Sequence, residues 1–194
     1  MATIITEQDL HRQALEQAAA LGLVNPIGIA KHQLGAAPRL AKLQGARGGL
    51  LDNTKGNAGP LLTHVGNLLR DRYGVKEVSI HRKLVYSRPA DPALLDLLAK
   101  NYDFVVTGVG ACGSCTSACV RDAVDLEARG IPTVAIHTEV FMNSGAAHAL
   151  AFGRADFEFV SVRHPIAAIP DAELRERAEE IVDSVARLLT VAER

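Results

Sequence analysis

Residues 103–138 read DFVVTGVGACGSCTSACVRDAVDLEARGIPTVAIHT, and this stretch decides the fold. Asp103–Thr107 is a short, β-branched apolar run with the character of a buried strand. A glycine-rich turn follows. From about 114 to 129 the spacing becomes helical, and Gly130 ends the helix. Ile131–Ile136 is a second apolar run of strand length. Strand, helix and strand within some thirty residues make a βαβ unit, which implies a right-handed crossover between parallel strands.

The same alternation extends in both directions. Upstream, Gly48–Asp52 (GGLLD) reads as a strand. Residues 58–73 read as a helix, with Leu61, Leu62, Val65, Leu68 and Leu69 on one face and Gly74 as its stop. Val75–His81 reads as a strand and Pro92–Lys100 as a short helix. Downstream come a helix near 143–152, a last strand at Phe157–Val162 and a long helix over 171–192. That last helix carries Leu174, Ala178, Ile181, Val182, Val185, Leu188 and Leu189 on its buried stripe. Five strands interleaved with helices predict an α/β three-layer sandwich around a mostly parallel sheet, Rossmann-like or flavodoxin-like. Residues 6–21 have amphipathic helical spacing, and Asn25-Pro26 breaks it. Residues 1–46 are therefore read as an N-terminal helical extension, packed on the core or on a partner subunit. Residues 47–194 are read as the α/β domain that carries the thiols.

Composition narrows the function. Twenty-one basic against 22 acidic residues leave no broad field for nucleic acid or anionic lipid. With five Phe, three Tyr and no Trp, base-stacking platforms are not expected. The N-terminus lacks a basic region followed by an apolar run, and no segment approaches the roughly 18 apolar residues of a membrane span. A cytoplasmic protein acting on a small molecule, with no nucleic-acid or membrane partner, is expected. All three cysteines fall within Cys112–Cys119, which is no disulfide framework. In a reducing compartment such a cluster is redox-active, catalytic or metal-binding.

The cysteines sit where a strand turns into a helix. Ser114 is the expected N-cap, so free amide N–H groups and the positive helix end would face Cys112, a setting that favours thiolate over thiol. Cys115, in the first helical turn, can reach back as a resolving thiol. Cys119, one turn further on, is expected to pack against the sheet. Gly108–Gly113 also matches G-x-G-x-x-G, with Glu139 near the usual ribose carboxylate position. That fingerprint normally follows the first strand of its domain, whereas here it follows the third, so no nucleotide cofactor is expected. The glycines, Gly110 and Gly113 among them, are expected to let backbone approach a substrate and aim N–H groups at an anion. Cys112, Cys115, His137 and His164 could form a mixed sulfur and nitrogen metal set. They lack a second close-spaced ligand pair, and no metal is expected.

In open parallel sheets, ligands bind outside the carboxyl ends of the strands. Those ends carry Asp52, Asn53 and Lys55; Arg82 and Lys83; the cysteine turn; His137, Thr138 and Glu139; and His164. Lys55 is a candidate for a substrate carboxylate, and one of Arg82, Lys83 or Arg88 for an anion. His137 and His164 are the candidate general acids.

The segment TGVGACGSCTSACVRDAVDLEARGIPTVAI, with GLLDNTKGNA at 49–58, resembles the UGSC family, named for a Sec-Gly-Ser-Cys motif in which many members carry cysteine for selenocysteine. The resemblance covers roughly residues 36–185. A more distant similarity is to the carboxy-terminal part of the selenoprotein B subunit of glycine, sarcosine and betaine reductases. There a Sec-x-x-Cys-Thr motif precedes a G-I-P-x-V-x-x-x-T strand, a Gly-Ala segment and a His-Pro pair. Here these are Cys112–Thr116, Gly130–Thr138, Gly145-Ala146 and His164-Pro165. The resemblance implies that Cys112 is the nucleophile, Cys115 its redox partner, and Thr138 and His164 polar neighbours, with His164 preferred as the acid. The further cysteine of the reductase motif is shifted by one residue, to Cys119.

The expected function is therefore a thiol-dependent oxidoreductase or lyase. It would cleave a bond in a small, anionic substrate through a Cys112 adduct resolved by Cys115. Gly110, Gly113, Ser114, Thr116, His137, Thr138 and Glu139 are expected to line the substrate site with Asp52, Asn53 and Lys55. No cofactor is expected beyond an external thiol reductant. Two other readings remain open: a non-redox cysteine hydrolase, hydratase or lyase, and a subunit or thiol sensor of a multi-protein reductase. A homo-oligomer or a place in a hetero-oligomer is expected.

Overall fold

A computed structural model describes residues 16–18, 20–22 and 34–191. Residues 16–18 and 20 are helical, and the rest of the helix expected over 6–21 lies outside the described residues. From residue 47 the order is β1 (Arg47–Asp52), α1 (Ala58–Tyr73), β2 (Glu77–Arg82), α2 (Pro92–Asn101), β3 (Phe104–Gly110), α3 (Gly113–Glu127), β4 (Thr133–Thr138), a 3-10 turn (Glu139–Phe141), α4 (Met142–Ala151), β5 (Phe159–Val162) and α5 (Asp171–Leu189).

The five strands are all parallel, in the spatial order β2-β1-β3-β4-β5. This is the doubly wound, flavodoxin-like order, and its direction reverses between β1 and β3. Neighbouring residues on the central strands supply opposite faces. Leu50, Phe104, Val106 and Ile136 pack with Leu61, Leu62, Val65 and Leu69 of α1 and with Leu174, Ala178 and Ile181 of α5. Leu51 and Val105 pack with Leu95 and Leu98 of α2 and Leu126 of α3. Ala135 packs with Val120, Ala123 and Val124 of α3, Ala149 of α4 and Phe157. The result is the expected three layers. No helix among the described residues is long and apolar enough to cross a membrane.

Strand limits differ from the sequence reading for identifiable reasons. β2 begins at Glu77, because Val75 and Lys76 complete the turn after Gly74 and the Lys76 N–H reaches the Ala46 carbonyl at 2.9 Å. β4 begins at Thr133, whose N–H goes to Glu127 Oε1 at 2.8 Å after Pro132, which has no N–H to give. β5 is a four-residue edge strand, since Phe157 turns into the α3–α4 core. β3 runs three residues beyond the expected Thr107, to Gly110.

The buried Glu127 carboxylate also joins the chain entering the domain to the sheet. It accepts the Ala37 N–H at 2.8 Å and pairs with Arg39 and with the buried Arg154. Leu40 forms a parallel bridge to Thr190 beyond α5. These contacts are among those by which the segment read as an extension packs on the α/β domain.

Candidate functional site

The end of β3 sets the geometry of the rim. Its register against β4 slips between Gly108 and Gly110, so Val109 is an extra residue turned into the α1–α5 core. Asn53, at the end of β1, compensates for the lost ladder. Its Nδ2 donates to the Val109 carbonyl at 2.9 Å and its Oδ1 accepts the Val109 N–H at 3.0 Å. Asn53 is fully buried, and its Nδ2 also meets Cys119 Sγ at 3.4 Å. The residue expected to touch substrate is thus a clamp on the Val109 backbone.

Gly110 is explained by a side chain instead of a ligand. A Cβ there would lie 1.7 Å from Cδ2 of His137, whose ring runs directly beneath the strand. The imidazole is fully buried, edge-on to Phe159 at 4.8 Å, and neither ring nitrogen has a hydrogen-bond partner. Burial pulls its pKa down to about 4. The hydroxyl of Thr116, on the buried side of α3, is also unpartnered. Both residues were expected to line the substrate site, and both lie below the rim.

Beyond Gly110 the chain enters α3, and the N-cap is Cys112 itself, not Ser114. The Cys112 sulfur accepts the Cys115 N–H at 3.3 Å, and Ser114 Oγ stands 3.7 Å from it. A sulfur two residues ahead of Ser114 has taken the position that satisfies an orphan amide of the first turn. Cys112 is half-buried, while Cys115 is fully buried and also accepts the Ala111 N–H at 3.3 Å. The two are paired as a disulfide, with Cα atoms 5.4 Å apart. Gly113 has open space where a Cβ would stand. Cys119 is the free cysteine of the cluster, and burial pushes its thiol up to about 12. It is packing, as its place one turn into the helix suggests.

The neighbouring rim comes from β4 and β5. Thr138 is buried, and its hydroxyl lies 3.4 Å from the Gly110 carbonyl and 3.2 Å from His164 Nδ1. The exposed Glu139 reaches the His164 N–H at 3.4 Å. A chain of contacts thus runs from the cysteine turn through Thr138 to His164. On the other side the polar groups are largely committed. Asp52 is buried against Gly59, caps the Thr54 N–H at 2.7 Å and pairs with Arg82 at 3.1 Å. Lys55 rests over the Tyr86 ring, 4.9 Å from its centroid. Lys83, one candidate anion binder, is buried and ion-paired with Asp122 of α3.

That Lys83–Asp122 pair was not legible as a pair. Its carboxylate also takes the Ala90 N–H at 2.6 Å, and Lys83 donates to the Arg88 carbonyl at 2.9 Å. Burial pushes the Asp122 carboxyl up and Lys83 pulls it back. The available signal was Asp122 itself, an acid three residues after Cys119 on the helix face that packs inward. Arg177, also buried, was missed as well. It sits on the apolar stripe of α5 and donates to the carbonyls of Arg163, at 2.7 Å, and of Pro165. Among the described residues, no three His, Cys, Asp or Glu side chains are gathered as a metal site.

Fold and turn together define a doubly wound α/β protein with a C-x-x-C pair capping a helix at the switch point of its sheet. The sequence model of the UGSC family matches residues 22–191, and the chain belongs to that family. No curated protein matches the chain.

Proposed function

We propose that this protein is a cysteine-dependent enzyme that cleaves a bond in a small, anionic substrate. In this reading Cys112 is the nucleophile and Cys115 the resolving thiol. The observation that carries it is the cap: a half-buried sulfur at the amino end of a 15-residue helix, in disulfide contact with a fully buried second sulfur. Helix amides favour the thiolate and would favour a substrate carboxylate beside it. The resemblance of the motif to that of selenoprotein B, an expectation from the sequence alone, motivates the chemical analogy.

The reaction balances as follows. The Cys112 thiolate attacks the carbon bearing leaving group X, forming a C–S bond and breaking C–X, while His164 supplies the proton that leaves with X. Cys115, as thiolate, attacks the Cys112 sulfur. The S–S bond forms, and the substrate carbon departs with the C–S electron pair and takes a proton. The substrate is reduced by two electrons and the thiol pair is oxidised to the disulfide. An external dithiol returns it to two thiols in a reducing cytoplasm. A carbon that departs with an electron pair needs a carbonyl next to it, so the substrate class is a carboxylic acid or close derivative with X on its α-carbon. The protein would work as a homo-oligomer or as one subunit of a larger reductase.

The test offers carboxylates with α-amino, α-hydroxy or α-halo groups to reduced protein with dithiothreitol, followed by intact-protein mass spectrometry. Wild type should turn over, Cys115→Ser should accumulate a covalent adduct at Cys112, and Cys112→Ser should do neither. Undiminished turnover by Cys112→Ser would refute the proposal. Undiminished turnover by Cys115→Ser would replace it with a hydrolytic or lyase cycle that needs no second thiol.

A further inference from the structure

We infer that Thr138 fixes His164 as the tautomer protonated on Nδ1, leaving Nε2 as the atom through which this histidine exchanges protons. The inference rests on the proposed function only for its catalytic meaning. It concerns how the imidazole is set up before any substrate arrives.

The Thr138 hydroxyl has one hydrogen and two polar neighbours: the Gly110 carbonyl at 3.4 Å and His164 Nδ1 at 3.2 Å. The carbonyl can only accept. If the hydroxyl donates to Nδ1, nothing bridges it to Gly110. If it donates to Gly110, its lone pair accepts from Nδ1–H, and both contacts become hydrogen bonds. Thr138 is fully buried, so its hydroxyl has no solvent to make up a lost bond. The placement that satisfies both contacts is favoured, and it fixes the ring through the bond its other nitrogen makes.

The turn that carries His164 is held from two sides. Arg177 donates to the carbonyls of Arg163 and Pro165, the residues flanking His164. Asn57, ahead of α1, donates to the carbonyls of Ile166 at 2.9 Å and Ile169 at 3.1 Å. Glu139 accepts the His164 backbone N–H at 3.4 Å. Thr138 is therefore a positioning residue for His164. It also links His164 to the backbone two residues before Cys112, so the histidine is referenced to the turn it would serve.

The experiment is long-range ¹H–¹⁵N correlation of the full chain with ring-labelled histidine, recorded above the titration range of free histidine. His164→Gln assigns the signal by its loss. Wild type should show His164 with Nδ1 protonated. Thr138→Val should lose that signature and become mainly Nε2-protonated, whereas Thr138→Ser should keep it. An Nε2-protonated His164 in wild type, or an unchanged pattern in Thr138→Val, would overturn the inference. The wild-type spectrum decides the point even if Thr138→Val does not fold. Inactivity of the enzyme would refute the proposed function without touching this readout.

Discussion

Acid should destabilise this protein through one buried imidazole, and the size of the effect follows from its surroundings. His137 lies between β3 and the α3–α4 layer with no solvent exposure and no partner for either nitrogen. Its pKa falls from an ordinary 6.5 to about 4, chiefly because burial penalises the charged form. Between those two values the unfolded chain binds a proton that the folded chain does not. Stability from this residue is therefore complete above 6.5 and is lost as pH falls toward 4. At about 1.4 kcal/mol per pKa unit, the loss reaches roughly 2 kcal/mol by pH 5 and about 3 kcal/mol near pH 4. Urea unfolding of wild type and His137→Leu at pH 7 and pH 5 isolates the effect, because every other titrating group is common to both. The stability gap should shift by about 2 kcal/mol in favour of the leucine variant. Parallel pH profiles for the two proteins would show that the imidazole is hydrated or partnered in solution, and the assignment of His137 as a neutral buried residue would fall.

The same ring makes Gly110 intolerant of a methyl group. Gly110→Ala should cost more than about 3 kcal/mol in urea unfolding, since its Cβ would overlap the imidazole against backbone on one side and Phe159 on the other. Adding His137→Ala should recover most of that, and simple additivity of the two changes would argue against the close approach. Removing one partner of the buried Lys83–Asp122 pair, by Lys83→Met or Asp122→Leu, should cost about 3–5 kcal/mol, while the double replacement should lie within about 1 kcal/mol of wild type. A double variant no better than the singles would mean that the pair's bonds to Ala90 and Arg88 matter more than its charge.

The layered architecture was legible because periodicity reports burial. The alternation of strand-length and helix-length apolar segments from Gly48 onward maps onto β1–β5 with limits moved by a few residues. The rim was legible because parallel strands send all their carboxyl ends to one edge. What stayed hidden was which rim side chains face inward. Asp52, Asn53, Thr116, His137 and Thr138 are polar residues at ends of buried elements, and sequence alone reads such residues as candidates for substrate. In the folded chain their partners come from far away in sequence: Asn53 meets Val109, Asp52 meets Arg82, and Lys83 meets Asp122. No local pattern encodes those distances.

His137 shows where a sharper reading was within reach. Every residue of β4 is buried, because a central strand of a doubly covered sheet has no solvent face. Once Ile131–Ile136 is assigned to such a strand, the residue that continues it inherits that burial. Alternation then places His137 on the same side as Ala135, beneath α3 and α4. Thr138 lies one residue further on and faces the other way, toward the loop of His164. The polar pair His137-Thr138 therefore divides into one residue that shapes the floor of the turn through Gly110 and one that reaches the rim. The same division applies to the cysteines. Helical phase sends Cys115 and Cys119 inward and leaves Cys112, at the cap, as the sulfur with access to solvent. The proposed chemistry therefore begins at that atom.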